Sequence, residues 1–105
     1  MKWIEMVRVR SSAFKAEEIL RLIRPHMESS AREIGKGLER VLVLVHSEYP
    51  GDLAVIMAWD NDCPPARSRE ALLLADVFSK HGQVSHAVWS LKVDWHPQAG
   101  GVHRA

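Results

Sequence analysis

The sequence predicts one α+β domain of βαββαβ order, with a four-stranded antiparallel sheet and two helices on one face of it. Three observations support this fold class: strand-length apolar segments, two stretches with apolar residues at helical spacing, and turn residues between them. The chain has 105 residues, 47% apolar and 26% charged, which is typical of a single folded domain. We assign the domain to residues 1–96 and expect residues 97–105 to be a disordered tail.

The first strand and the first helix follow from residue spacing. Residues 3–10 alternate in polarity, which predicts a strand, and the hydroxyl groups of Ser11 and Ser12 can cap a following helix. Apolar residues within 16–34 recur at steps of three and four, as on the buried side of a helix. Because proline lacks an amide hydrogen, we expect a kink or a short break at Pro25.

A hairpin is predicted in the middle of the chain. Gly35 and Gly37 are expected to end the first helix, and the β-branched run at residues 41–45 predicts the second strand. Residues 49–52 have the Tyr-Pro-Gly-Asp composition of a tight turn, and residues 53–59 form another apolar run of strand length. We expect these two strands to pair across the turn.

A second helix and a last strand complete the pattern. Pro64 and Pro65 suit the first turn of a helix, which we expect to continue to Gly82. Residues 85–95 alternate in character, which predicts a strand with one polar face. That face holds His86, Val88, Ser90, Lys92 and Asp94.

The two middle strands indicate that the sheet needs a partner. Residues 41–45 and 53–59 are apolar at successive positions, so both sides of these strands should be buried, whereas the two helices cover one face only. Burial of such side chains stabilises by about 1.5–3 kcal/mol each, which is large for a small domain. We therefore expect a homodimer in which two sheets pack face to face.

Charge and cysteine content exclude several classes of partner. The 14 basic and 13 acidic residues are spread along the chain and give a net charge of +1, so we expect no nucleic-acid or membrane partner. We find no signal-peptide pattern and no apolar run of the roughly 20 residues that cross a bilayer. Cys63 is the single cysteine, which suits a reducing compartment, and we expect a cytoplasmic location.

The order of elements, the turn at residues 49–52, the strand ending at Trp59 and the segment 84–89 together resemble the dimeric α+β barrel superfamily. Its best-known branch is the antibiotic-biosynthesis-type monooxygenases. The resemblance covers residues 1–96 and implies a ferredoxin-like fold and a homodimer whose sheets enclose a pocket. Members include cofactor-free oxygenases acting on quinols or polyketides, haem-degrading enzymes and decarboxylases, and a shared fold does not select among them.

Two neighbouring functions are not expected. The haem-degrading branch resembles this chain at residues 76–78, but His81 comes one residue early and Leu72 stands in place of a tryptophan. The asparagine of that branch is also missing from residues 2–10. An RNA-recognition domain shares the element order, but residues 53–59 lack its exposed aromatic pair and its basic-glycine signature.

Histidines are the candidate groups for proton transfer near neutral pH. His46 falls on the second strand, while His86 and Ser90 share the polar face of the last strand. If these faces line the cavity between two sheets, His46, His86 and Ser90 form a catalytic set that handles protons. The alternative is that His46 faces water at a strand end and that His86 caps the loop after Gly82.

Three further residues are candidates for ligand binding. Trp59 and Trp89 could stack on an aromatic substrate, and the alternative is that they make core or dimer contacts. Glu5 lies between two apolar residues on a strand, so its carboxylate must be paired, exposed, or carry a raised pKa. Only the last of these three states would make Glu5 catalytic.

No metal or cofactor is expected. The histidines lack zinc spacing, and residues 60–62 begin like a calcium loop but lack its glycine and closing glutamate. Two functions stay open: a cofactor-free monooxygenase-like enzyme for an aromatic or quinol-type small molecule, and a non-catalytic dimeric module that binds an apolar ligand or a protein partner. A cavity with converging polar side chains would favour the enzyme.

Overall fold

The computed structural model describes residues 1–30 and 36–97, with the side chain of Ser30 left out. Its elements are β1 (Trp3–Arg10), α1 (Ala16–Ser30), β2 (Leu38–Val45), β3 (Asp52–Trp59), α2 (Arg69–Ser79) and β4 (Gln83–Ser90). The strands form one antiparallel sheet in the order β2-β3-β1-β4. The predicted ferredoxin-like βαββαβ fold is therefore confirmed, and neither α1 nor α2 is long and apolar enough to cross a membrane.

One face of the sheet packs against the two helices and forms the core. Alternate residues of the central strands β1 and β3 are buried there together with one side of each helix, because side chains alternate between the faces of a strand. This helix-side face of β1 and β3 consists of Trp3, Glu5, Val7, Val9, Leu53, Val55, Met57 and Trp59. Glu5 is the one charged residue among these eight.

The opposite face, called the open face below, has no helix of the described chain against it. The cross-strand register of β1 and β4 places four apolar residues at one end of this face and four polar residues at the other. The apolar half consists of Ile4, Met6, Ala87 and Trp89, and the charged half of Arg8, Arg10, Gln83 and Ser85. Leu42, Leu44, Ala54 and Ile56 extend the apolar surface across β2 and β3.

The beginning of α1 differs from the prediction, and Pro25 does not break the helix. The Ser11 hydroxyl accepts from the amides of Ala13 and Phe14, at 3.2 and 2.9 Å, so it closes a turn before the helix instead of capping it. The helix begins at Ala16 and continues through Pro25. Its predicted end at Gly35 lies outside the described residues.

The start of α2 and the end of β4 were predicted wrongly, and α2 ends at Ser79, before the predicted Gly82. Pro64 and Pro65 precede α2, which begins at Arg69, instead of opening it. Ser68 is the N-cap, and its hydroxyl accepts from the amide of Ala71 at 3.1 Å. Strand β4 ends at Ser90, opposite the first residue of β1, and not at residue 95. Beyond it the amide of Leu91 donates to the carbonyl oxygen of Lys2 at 2.9 Å.

Candidate functional site

A buried carboxylate forms the centre of the candidate site. Glu5 has no exposed surface, and its two oxygens have three hydrogen-bond partners. Oε1 accepts from the indole Nε1 of Trp59 at 3.0 Å, and Oε2 accepts from the backbone amide of Ser68 at 2.8 Å. Oε2 also lies 2.9 Å from Nε2 of His86. Of the three possibilities left open for Glu5 by the sequence, pairing is the one that the structure shows.

The sheet register brings these groups together. Glu5 pairs directly with Met57 on β3 and with Val88 on β4, so Trp59 and His86 are its diagonal neighbours on the same face. Ser68, the N-cap of α2, completes the site. Its backbone N–H group donates to the carboxylate of Glu5. The N-terminus of α2, where backbone N–H groups have no partner within the helix, thus supplies one of the donors to Glu5.

The Glu5–His86 pair can hold a proton at a defined position. The indole of Trp59 and the amide of Ser68 can only donate, so neither competes for a proton that lies between Oε2 and Nε2. The side chain of His86 is 7% exposed and lies on the outer strand β4, whereas Glu5 is fully enclosed. His86 is therefore the member of the pair that is nearer to solvent.

Trp59 is a structural support of this site. It stacks on Trp3 across the β1–β3 ladder, with ring centroids 5.2 Å apart and ring planes 13° from parallel. Trp3 in turn donates from Nε1 to the side-chain oxygen of Asn61 at 3.0 Å. Both rings are buried, so the face of Trp59 that was predicted to stack on a substrate is occupied by Trp3.

The structure does not bring His46 or Ser90 to His86. His46 follows β2, at the opposite edge of the sheet from β4, and its Nδ1 accepts from the amides of Glu48 and Tyr49, each at 3.0 Å. This exposed histidine shapes the β2–β3 turn. Ser90 shares a face with His86 but lies at the far end of β4, where it is exposed.

The open face contains a second polar cluster. Asp52, only 3% exposed, accepts from Nε of Arg8 at 2.8 Å and from Nη2 of the same residue, and Nε of Arg10 lies 3.9 Å away. The hydrogen bonds from Arg8 lower the pKa of Asp52 below its ordinary value, although burial acts in the opposite direction. The same hydrogen bonds raise the pKa of Arg8.

Sequence reasoning missed Ser68, Arg8 and Asp52. Ser68 could have been recognised as an N-cap, because a serine stands directly before the charged and apolar residues of α2. The Arg8–Asp52 pair joins residues that are 44 positions apart, and no local pattern indicates it. In the described ranges, no group of three histidine, cysteine, aspartate or glutamate side chains is placed to hold a metal ion.

Comparisons with known proteins agree with the fold. No protein-family model matches the sequence, and no curated protein matches it. An antibiotic biosynthesis monooxygenase structure is 14% identical, with a TM-score of 0.61 and coverage of 88% of this chain and 98% of that one. A conserved protein from Methanosarcina mazei Go1 is 18% identical, with a TM-score of 0.64. The match covers 88% of this chain and 95% of that one.

A dimeric ferredoxin-like protein from an uncultured marine organism is also similar in structure. It is 10% identical, with a TM-score of 0.57 and coverage of 92% of this chain and 93% of that one. At such identities the likeness shows a shared fold. The predicted resemblance to the antibiotic-biosynthesis monooxygenases is confirmed at that level.

Proposed function

We propose that this chain forms a homodimer that acts as a cofactor-free monooxygenase on an aromatic or quinol-type small molecule, with His86 accepting the proton and the paired Glu5 holding its imidazole in place. The observation that carries the proposal is the enclosed Glu5 carboxylate with His86 Nε2 at 2.9 Å. A buried carboxylate that orients an imidazole is a recurring arrangement for general acid-base catalysis. The monooxygenase-like fold supports the choice of reaction class.

The homodimer is supported by the open face. Trp89 is 59% exposed and Leu44 48% exposed on this face, and their neighbours Met6 and Ile56 are also apolar. Contiguous exposed apolar surface of this kind marks an interaction site. Packing of a second copy against it would bury these side chains. A marine protein of similar fold is described as dimeric, which also supports the homodimer.

The proposed reaction consumes a quinol and molecular oxygen. His86 removes a proton from the quinol hydroxyl, and Glu5 stabilises the resulting imidazolium. The electron-rich quinolate then reduces oxygen, one oxygen atom bonds to the ring carbon, and the other leaves as water. For naphthohydroquinone the products are hydroxynaphthoquinone and one water, and a ring C–H bond is replaced by C–OH, so all four electrons that reduce oxygen come from the substrate.

Oxygen uptake with naphthohydroquinone tests this proposal. The wild-type dimer should consume oxygen faster than the buffer background and yield hydroxynaphthoquinone, and His86→Ala should reduce the rate at least about 100-fold. His96→Ala, which changes an exposed histidine beyond β4, is the matched control and should keep the wild-type rate. Equal rates for wild type and His86→Ala would refute the assignment of His86.

A non-catalytic binding module is the second candidate. It is favoured by the open face, whose apolar side chains suit an apolar ligand or a protein partner, and by the satisfied hydrogen bonds of Glu5. A wild-type protein that leaves the rate of quinol oxidation at the buffer background would favour this module.

We also propose a cytoplasmic location, for which the free and exposed Cys63 is the supporting feature.

A further inference from the structure

We infer that a groove at one end of the sheet binds a phosphate group, either as the free ion or as part of a phosphate ester. This groove, called the end groove below, lies where the β1–α1, β2–β3 and α2–β4 connections meet. Its lining residues include Arg10, Ser12, Tyr49 and His81. The described residues that line it do not include Glu5 or His86, so the inference does not depend on the proposed reaction.

The end groove should stay open in the proposed homodimer. Packing of two sheets face to face covers the open face of the strands, whereas the three connections lie beyond the strand ends. Arg10 is the last residue of β1, and its guanidinium lies over the ring of Tyr49 in the β2–β3 turn, 3.7 Å from the ring centroid. This cation therefore reaches past the end of β1 toward the connections, where a phosphate would not compete with a second copy.

Contacts between the three connections hold the end groove in one shape. The amide of Ala16 donates to the carbonyl oxygen of Pro50 at 2.6 Å, which ties the start of α1 to the β2–β3 turn. The ring of Phe14 packs edge-on against His81 of the α2–β4 turn, with centroids 5.0 Å apart. The side chains of the end groove are therefore held in position before a ligand binds, which reduces the entropy lost on binding.

Arg10 supplies the end groove with a guanidinium whose donors are available. Its Nε lies 3.9 Å from the carboxylate of Asp52, which is too distant for a hydrogen bond. Across the described ranges the nitrogens of Arg10 have no hydrogen-bond acceptor, and no aspartate or glutamate is among the described residues that line the groove. The wall of the groove therefore carries a positive charge and no carboxylate of its own.

His81 supplies a second donor. Its Nδ1 is buried and has no hydrogen-bond partner in the part of the chain that the structure describes. A proton on Nδ1 would lack an acceptor, so the neutral ring favours the tautomer with its proton on Nε2. Nε2 is not buried in this way and can donate to a ligand in the groove that His81 lines.

The origin of the donors favours a phosphate over a carboxylate. The guanidinium of Arg10 comes from β1, the ring of His81 from the α2–β4 turn and the hydroxyl of Ser12 from the β1–α1 connection. A phosphate group presents at least three strong acceptor oxygens around a tetrahedral centre, whereas a carboxylate has two in one plane. A guanidinium that binds two phosphate oxygens leaves a third for the other donors.

Titrations of the wild-type protein at constant ionic strength test the inference. Inorganic phosphate and phenyl phosphate should each bind saturably and at least about tenfold more tightly than acetate, because acetate leaves one donor unused. The tighter of the two phosphates identifies whether the groove takes the free ion or an ester. Absence of saturable binding by both phosphates, or equal affinity for phosphate and acetate, would overturn the phosphate assignment.

Two matched pairs of variants locate the site. Arg10→Gln removes the available guanidinium, and His81→Phe removes both ring nitrogens but keeps a ring against Phe14. Each should weaken binding of inorganic phosphate at least about tenfold. Arg24→Gln on the exposed side of α1 and His96→Phe beyond β4 remove the same groups elsewhere and should leave binding unchanged. Unchanged binding by Arg10→Gln or by His81→Phe would overturn the proposed position.

Assembly and phosphate binding can be tested separately. Trp89→Ser, which weakens the proposed homodimer, should bind inorganic phosphate as tightly as the wild-type protein does at concentrations where it is assembled. Binding that is lost on assembly would place the groove under the second copy and overturn its position at the end of the sheet. Because Glu5 and His86 lie outside the groove, Arg10→Gln should not alter any quinol oxidation, and this separates failure of the two proposals.

Discussion

Oε2 of Glu5 on β1 lies 2.9 Å from Nε2 of His86 on the neighbouring strand β4. The two residues are 81 positions apart in the sequence, and they meet because β1 and β4 pair antiparallel with Val7 opposite His86. The Trp3–Trp59 stack lies beside the pair on the same face of the sheet, and the N-terminus of α2 lies over this face. The pair therefore links both halves of the βαββαβ fold, so changes in it should affect stability as well as any activity.

Replacement of Glu5 by glutamine should destabilise the protein. The amide nitrogen of the introduced side chain would have to face a donor where an oxygen of Glu5 now accepts, and the charge-assisted contact with His86 would be lost. We expect Glu5→Gln to lower the free energy of unfolding by about 2–3 kcal/mol, measured by urea denaturation. Glu17→Gln on the exposed side of α1 is the control, and an equal, small effect of both changes would contradict the buried network.

Removal of one donor to Glu5 should have a smaller effect. Trp59→Phe retains an aromatic ring against Trp3 but deletes the N–H group that donates to Oε1 of Glu5. We expect a loss of about 1–2 kcal/mol in the free energy of unfolding, since a buried acceptor loses its partner. Trp89→Phe, on the open face, should change monomer stability by less than about 0.5 kcal/mol.

The Arg8–Asp52 pair should make stability dependent on pH in the acid range. The pKa of Asp52 is lowered from its ordinary value of 3.8, so the folded state binds fewer protons than the unfolded state near that pH. This contribution is fully present above about pH 5 and is lost as the pH falls through the lowered pKa.

Asp52→Asn tests this pH dependence in denaturation curves recorded from pH 7 to pH 2. The variant should be less stable by about 1–2 kcal/mol at neutral pH, because solvent around the half-exposed Arg8 weakens the interaction. The difference from wild type should shrink as the pH falls. Asp76→Asn, an exposed change on α2, is the control, and a difference that stays constant down to pH 2 would contradict the assignment to Asp52.

A methyl group at Gly51 should disturb the junction of β3 with the β1–α1 connection. A Cβ atom at this position would lie 1.9 Å from the carbonyl oxygen of Ser11 and 2.8 Å from that of Phe14. The amide of Ser11 also donates to the carbonyl oxygen of Gly51 at 2.8 Å, so the backbone cannot shift without losing this bond. We expect Gly51→Ala to lower the free energy of unfolding by about 1–3 kcal/mol, measured by urea denaturation. Ser47→Ala in the same loop is the control.

The open face should control assembly. Trp89→Ser removes the largest exposed side chain of the apolar half, and because a homodimer would bury two copies of it, the dissociation constant should rise at least tenfold. Trp95→Ser is the matched control, since Trp95 is 84% exposed and lies beyond the end of β4. Light scattering across a dilution series checks both, and a wild-type protein that remains monomeric would refute the homodimer.

Part of the candidate site could be predicted from the sequence. Glu5 and His86 were recognised individually, because a carboxylate within an apolar strand and an imidazole on an alternating strand are visible in local patterns. Their pairing could not be predicted, since it depends on the register of two strands from opposite ends of the chain. His46 was grouped with His86 because both were assigned to strands, but His46 follows the end of β2, and β2 and β4 lie at opposite edges of the sheet.

The sequence by itself determined the element order, the hairpin and the burial of β3, because hydrophobic periodicity and turn residues act over a few neighbouring positions. The same reasoning predicted burial of residues 41–45, but β2 is an edge strand and stays largely exposed. Tertiary structure alone decided which side of β4 faces the helices, where β4 ends, and which donors reach Glu5. The physical reason is that either side of such a strand could face the helices. Only the cross-strand register and the packing of α2 decide which side does. That choice places His86 beside a buried carboxylate and Trp89 on the open face.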